Sequence, residues 1–291
     1  MIKPEMTGPE MDGPEMTEPE MNGPSDFAVA ARTDFTEIPV IDISALADPD
    51  RFDETAHHLV SVARDIGFFY LTHHGIPAAL CEDAFAASRE FFGLSDDQKA
   101  DVSVDHQQRG WMAQGMATLE GAKTSDAKEV FFWGRDVAPD DPDVLQGRAL
   151  VAPNQWPDRH APRLKQQLLP YYDAVLDLSR LVLRALARGL GKQPDFFAPA
   201  YVNPLGRGQL VYYPPICEAD IKAKRFGAAA HTDFGVLTIL KQDHVGGLQI
   251  MNRSGEWIEA PPIEGTFVCN IGDLLERWTN GRLVSTTHRV L

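Results

Sequence analysis

The sequence predicts an α+β fold, a helical region followed by a β-barrel or sandwich of the jelly-roll kind. Three observations predict it. Residues 162–190 repeat large apolar side chains every third or fourth position, the period of a helix with one buried face. Beyond about residue 204, short apolar runs alternate with Gly, Pro and Asn, as close-set strands joined by turns do. The first 25 residues hold almost nothing a core could bury.

That opening segment is a repeat of period five. Proline stands at 4, 9, 14, 19 and 24, and Pro-Glu-Met recurs at 4–6, 9–11, 14–16 and 19–21. It carries six acids (Glu5, Glu10, Asp12, Glu15, Glu18, Glu20) against one base, Lys3. Proline at every fifth position blocks a helix, so residues 1–34 are expected to be a disordered acidic tail. Residues 38–43, Ile-Pro-Val-Ile-Asp-Ile, read as a short strand. Residues 50–65 read as an amphipathic helix with Leu59, Val62, Ala63 and Ile66 on one face and Gly67 as its stop. Residues 68–72 read as a strand, 73–77 as a turn, and 78–92 as a second helix. Ser95 reads as the N-cap of a short helix over 96–99. Residues 135–160, rich in Pro and Asp, read as loop. The long helix presents Leu164, Leu168, Tyr172, Val175, Leu178, Val182 and Leu186, with Pro170 as a kink candidate and Gly189 and Gly191 as its end. Strands are expected over 208–213, 228–233, 235–241, 247–251, 266–271 and 283–291. The chain thus divides into the tail, an N-terminal region over 35–160, a scaffold helix over 161–203, and a β-rich domain over 204–291.

Composition excludes several functions. The net charge is −15 and no basic stripe offsets it, which argues against nucleic acid as a partner. No apolar run reaches the ~18 to 20 residues that span a bilayer, and no basic-then-apolar leader opens the chain. Cys81, Cys217 and Cys269 lie far apart with no CxxC spacing, unlike a disulfide framework or a zinc site. A cytoplasmic protein is expected, and the oligomeric state is left open.

The residues with chemistry are His231-Thr232-Asp233 and His288. On a strand over 228–233, His231 and Asp233 are i and i+2 and share a face. His288 would arrive 57 residues later from another strand. Two imidazoles and one carboxylate form the facial triad of non-haem Fe(II) oxygenases, with coordination positions left open. A surface hydrogen-bonding pair is the alternative reading of His-x-Asp by itself. The adjacent pairs His57/His58 and His73/His74 read as structural, and Glu129 as the partner of a base such as Lys128 or an arginine. Asn270 and Asp273 read as shaping a turn, Trp257 and Trp278 as packing residues.

Several ordered motifs share one resemblance. They are 38–42 (Ile-Pro-Val-Ile-Asp), 67–77 (Gly-Phe-Phe-Tyr-Leu-Thr-His-His-Gly-Ile-Pro), 128–132 (Lys-Glu-Val-Phe-Phe) and 154–157 (Asn-Gln-Trp-Pro). Further along come 212–215 (Tyr-Tyr-Pro-Pro), 231–238 (His-Thr-Asp-Phe-Gly-Val-Leu-Thr), 247–249 (Gly-Leu-Gln), 270–273 (Asn-Ile-Gly-Asp), 278–281 (Trp-Thr-Asn-Gly) and 285–290 (Ser-Thr-Thr-His-Arg-Val). Together they resemble the isopenicillin-N-synthase-like branch of the 2-oxoglutarate/Fe(II)-dependent dioxygenases. The resemblance implies a double-stranded β-helix with flanking N-terminal helices. It implies Fe(II) held by His231, Asp233 and His288, and 2-oxoglutarate and O2 as cosubstrates. It implies that Tyr213 helps hold the distal carboxylate of 2-oxoglutarate, where the residues alone leave a core tyrosine as an equal reading. C–H hydroxylation with release of succinate and CO2 is the default outcome. Desaturation, ring closure and fragmentation of 2-oxoglutarate to ethylene are variants. In this family an Arg-x-Ser follows the second histidine by roughly ten residues and clamps that carboxylate bidentately, whereas this sequence stops at Leu291. A C-terminal truncation, with the last strand and helix missing, is therefore expected, and with it a second reading: an impaired remnant that retains the iron site. Arg289 is set aside as a substitute because its neighbour His288 must face inward; Arg225 and Arg282 are candidates, and Gln209 and Val211 depart from the family pattern before the Tyr-Tyr-Pro. A third reading is a binding module recruited through the acidic tail.

Overall fold

The computed structural model describes residues 38–116, 126–215, 217, 218, 222 and 225–291. The acidic repeat lies outside them. Strands β1 (Val40–Asp42), β2 (Phe68–Thr72), β7 (Leu237–Leu240) and β10 (Phe267–Ile271) form one sheet in the order β1-β2-β10-β7. Strands β6 (Ala228–His231), β8 (Leu248–Met251), β9 (Trp257–Glu259) and β11 (His288–Val290) form a second, in the order β6-β11-β8-β9. A third joins β3 (Gly110–Met112), β4 (Glu129–Gly134) and β5 (Arg207–Tyr212). Among the described strands β1 and β2 pair in parallel and the other ladders are antiparallel.

The period of two along β2 explains its packing. Phe68 and Tyr70 point between the two four-stranded sheets, where they meet Leu248, Ile250, Ile258 and Val268. Phe69 and Leu71 point the other way, with Phe267, Cys269 and Ile271, onto helices α1 (Phe52–Asp65) and α5 (Arg163–Gly189). A strand covered on both faces needs apolar residues at every position, hence Phe-Phe-Tyr-Leu. Helix α2 (Ala78–Phe92) closes a second core with β3, β4 and the start of α5, built on Phe91, Trp111, Phe131, Trp133, Leu164 and Leu168. Ser95 caps α3 (Asp96–Ala100) through a reciprocal capping box with Gln98.

The expected helices stand within about two residues of their places, and β2 and α2 match the expected ranges. Four differences have physical reasons. The N-terminal part is not simply a helical flank: β2 lies in the middle of the first sheet and β4 pairs β5 along six positions. β4 was hidden because its residues are all buried and so show no alternation. The proposed loop 135–160 contains one turn of helix, α4 (Pro142–Leu145), capped by Asp141. Gly189 lies inside α5 and serves close packing, since a Cβ there would stand 2.3 Å from the Ala56 carbonyl oxygen. The end falls at Leu190, followed by Gly191 at φ +79°. Among the described residues no helix is long and apolar enough to cross a membrane.

Candidate active site

His231 closes β6 and His288 opens β11, and the two are directly opposed in the antiparallel ladder. Their rings lie 4.4 Å apart between centroids. Asp233 is not on the strand, as its i+2 relation to His231 had suggested; β6 ends at His231, and Asp233 starts the turn toward β7. It reaches the same point by another route. Asp273 N–H bonds the Asp233 carbonyl at 2.7 Å, Leu274 N–H bonds the Gly235 carbonyl, and Gly272 N–H bonds the Val236 carbonyl. Gly272 is required for this approach, because a Cβ would lie 2.3 Å from the Gly235 oxygen. The segment Asn270–Asp273 thus belongs to the end of β10 and the start of helix α6 (Asp273–Trp278), not to a turn between strands.

The side chains are held with one donor atom each left over. His231 Nδ1 lies 2.7 Å from the Ala229 carbonyl oxygen, and His288 Nδ1 lies 3.0 Å from that of Thr286. A carbonyl only accepts, so both Nδ1 atoms carry a proton, and the neutral ring offers its Nε2 lone pair. Asp233 Oδ2 accepts from Thr238 Oγ1 (2.6 Å) and Asn270 Nδ2 (2.8 Å), which leaves Oδ1. That oxygen is 3.8 Å from each Nε2, and the donor atoms of the three residues lie within 4.8 Å of one another. Bonds of about 2.0–2.2 Å from a first-row divalent ion set neighbouring donors about 3 Å apart, so the side chains close by roughly 1 Å around it. Two neutral imidazoles and one carboxylate suit Fe(II), so the residues present fit the metal.

Electrostatics agree with ligation. Burial pushes the His288 imidazole below its ordinary pKa, despite the opposing charge of Asp233. It therefore stays neutral, the form that binds metal. Burial pushes the Asp233 carboxyl up, but His288, Asn270, Thr238 and His231 together outweigh it and leave the group below the ordinary carboxylate value. Phe68 of β2 packs edge-on against the His288 ring at 5.1 Å. Thr286 Oγ1 donates to the Ile66 carbonyl at 2.6 Å, fixing the approach to β11.

The other expected residues fall into place as follows. Tyr213 directly follows β5, and its ring lies against Gly227, where a Cβ would stand 2.8 Å from Cδ1. Its hydroxyl pKa is raised by burial and then by Asp126. Glu129 pairs with Lys99 at 2.7 Å, not with Lys128, which pairs with Asp126. Arg289 turns away from the triad, bonding Gln249 Oε1 and stacking on Trp257 at 4.0 Å. Arg282 is exposed. Trp278 is half exposed, its ring stacked on Phe197. His57 bonds the Asp53 carbonyl, His73 pairs with Asp42, and His74 bonds the Gly265 carbonyl. Thr238 and Asn270 were missed as supports of Asp233. The signal was there for Asn270: a lone amide in the apolar run Phe-Val-Cys-Asn-Ile.

Comparison with known proteins agrees with this geometry. A family model described as the N-terminal region of the non-haem dioxygenase in morphine synthesis matches residues 38–159. The model of the 2OG-Fe(II) oxygenase superfamily matches residues 208–291. The soybean (Glycine max) homoarginine-6-hydroxylase 2-ODD-C23 is 36% identical over 275 residues, covering 89% of this chain and 82% of the relative. The 2-oxoglutarate-dependent dioxygenase citB of Monascus ruber is 35% identical over 266 residues, 87% of this chain and 80% of the relative. Among solved structures, Neurospora crassa T7H in complex with alpha-KG and thymine superposes with a TM-score of 0.75 at 31% identity, over 87% of this chain and 79% of that one. The chain belongs to the 2OG-Fe(II) oxygenase superfamily. It is an oxidoreductase with the jelly-roll, double-stranded β-helix core of that family, using Fe(II), 2-oxoglutarate and O2.

Proposed function

We propose that His231, Asp233 and His288 hold the catalytic Fe(II), that Tyr213 contacts 2-oxoglutarate, and that the enzyme hydroxylates a C–H bond of a small organic molecule. The observation that carries this reading is the set of three free donor atoms, His231 Nε2, His288 Nε2 and Asp233 Oδ1, each belonging to a side chain whose other polar atom is bonded within the protein. When bound, the iron couples decarboxylation of 2-oxoglutarate by O2, giving succinate and CO2, to insertion of the second oxygen atom into a substrate C–H bond. The chain's own residues supply orientation. The carbonyls of Ala229 and Thr286 keep the protons on Nδ1. Thr238 and Asn270 keep the carboxylate ionised and turned toward the imidazoles. Tyr213, 38% exposed, brings a hydroxyl whose pKa is raised above its ordinary value, a donor suited to a carboxylate. The substrate class is a small molecule, as for relatives named for homoarginine or crystallised with thymine.

Anaerobic titration with Mn(II), an inert stand-in for Fe(II), tests the metal reading. One ion per chain is expected for the wild type, and none for Asp233→Ala. Stoichiometric binding retained by that variant would overturn the assignment. Tyr213→Phe should leave Mn(II) binding intact and weaken 2-oxoglutarate about ten- to a hundredfold, the loss of one hydrogen bond to a charged group. Unchanged 2-oxoglutarate affinity would leave Tyr213 a packing residue against Gly227.

A further inference from the structure

A buried carboxylate outside the triad grips the strand that carries His231. The ladder between β6 and β11 is irregular: His288 opposes His231 and Val290 opposes Ala228, so Ala229 and Ala230 together face the single residue Arg289. This is a bulge placed directly before a proposed ligand, and bulges re-aim the side chains beside them. β6 is also an edge strand of its sheet. Asp126, with 2% of its surface exposed, holds the bulge: its Oδ1 accepts the Ala229 N–H at 3.1 Å. A second bond, from Ala127 N–H to the Phe226 carbonyl at 2.9 Å, lays the two segments side by side. The other carboxylate oxygen forms an ion pair with Lys128 Nζ at 2.8 Å, which offsets the cost of burying a charge. Ala229 is the residue whose carbonyl accepts the hydrogen bond from His231 Nδ1–H. A single residue is therefore held at its N–H by Asp126 and holds His231 by its C=O.

We propose that Asp126 is a positioning residue of the metal site, anchoring the β6 bulge so that the Ala229 carbonyl fixes the tautomer and direction of His231. This rests on the metal reading above, and it adds a support from the N-terminal region 103 residues earlier in the chain. Lys128 pairs with the other carboxylate oxygen; the hydrogen bond to Ala229 does the positioning. Outer supports of this kind alter metal affinity by about 10- to 100-fold.

The test uses the full chain and two readouts besides activity. The first is Mn(II) affinity by calorimetry. The second is the His231 tautomer in the metal-free protein, read by long-range 1H–15N correlation on histidine-labelled samples and assigned with His231→Gln. Asp126→Ala should lower Mn(II) affinity about 10- to 100-fold and convert a pure Nδ1–H signature of His231 into a mixture. Asp126→Asn keeps an oxygen for Ala229 and should stay within about threefold of the wild type; it also serves if the alanine variant does not fold. Alanine-variant affinity and tautomer equal to wild type would overturn the proposal. So would an asparagine variant as weak as the alanine one, since charge rather than the hydrogen bond would then be responsible. A wild type that binds no Mn(II) sinks the metal reading instead, and the tautomer measurement still decides on Asp126.

Discussion

Two polar clusters in this molecule are built from similar groups and finished in opposite ways. In the N-terminal region, Lys99 is 3% exposed and its ammonium meets Glu129 at 2.7 Å and Asp96 at 3.0 Å, with the Trp111 ring 4.9 Å away. The Trp111 indole N–H donates to the same Glu129 oxygen at 2.6 Å. The cluster closes on itself. At the His231–Asp233–His288 site each side chain is anchored through one atom and left with another that faces the other two residues. A closed cluster is structure; a cluster anchored from behind and open in front is a site. The difference that matters is which atoms the fold has already used.

Exchanging the roles tests that distinction. Asp233→Ala should remove metal binding altogether, a loss beyond the hundredfold scale of outer supports. The metal-free chain should lose only a modest amount of Tm, as Asn270 Nδ2 and Thr238 Oγ1 lose their acceptor. Lys99→Met should do the reverse. It leaves Glu129 buried without its cation, which costs about 3–5 kcal/mol and lowers Tm by roughly 6–20 °C in a chain of this size. Mn(II) affinity of the folded fraction should not change. Lys99→Met with Glu129→Gln should recover part of the loss. Equal loss of metal affinity in both single variants would erase the distinction.

The next effect is smaller. Asn270→Ala and Thr238→Val each remove one of the two hydrogen bonds on Asp233 Oδ2. Each should weaken Mn(II) about 10- to 100-fold with a modest change in Tm. A variant that loses stability but not affinity would place that residue with the closed cluster.

Legibility in the sequence follows the same line. The long helix and β2 could be read because each obeys one rule over its full length: a 3.6 period for α5, and unbroken apolar residues for a strand buried on both faces. His231, Asp233 and His288 could be picked out because their residue types and order match a family pattern, although the geometric reason offered for Asp233 was wrong. Its position depends on backbone bonds from Gly272, Asp273 and Leu274, residues some 40 positions away, and spacing carries no trace of them. Lys99 as the partner of Glu129 was equally hidden. The two are 30 residues apart and meet only once α3 lies beside β4. Local periodicity reports faces; it does not report which faces meet.

The smallest effect separates the clusters by pH. Burial alone would lower the Lys99 pKa, but its bonds to Glu129 and Asp96 prevail and raise it above its ordinary value. A raised cation contributes stability that is fully present below the unfolded pKa of about 10.4 and is lost as pH climbs through the higher folded value. The triad works at the other end. His288 is held below its ordinary pKa by burial, so near and below pH ~6.5 the unfolded chain takes up the proton more readily than the folded one, and stability falls with acid. Asp233, also lowered, adds to this loss at still lower pH, as the medium passes through its depressed folded value. The metal-free wild type should therefore show two flanks in Tm against pH, one below neutrality and one above pH ~10. Lys99→Met should flatten the alkaline flank and leave the acid one, while His288→Gln should blunt the acid flank and leave the alkaline one. The measurement is a calorimetric or circular-dichroism melt across that range. A wild-type curve in which His288→Gln changes the alkaline side, or Lys99→Met the acid side, would show that the two clusters do not act independently.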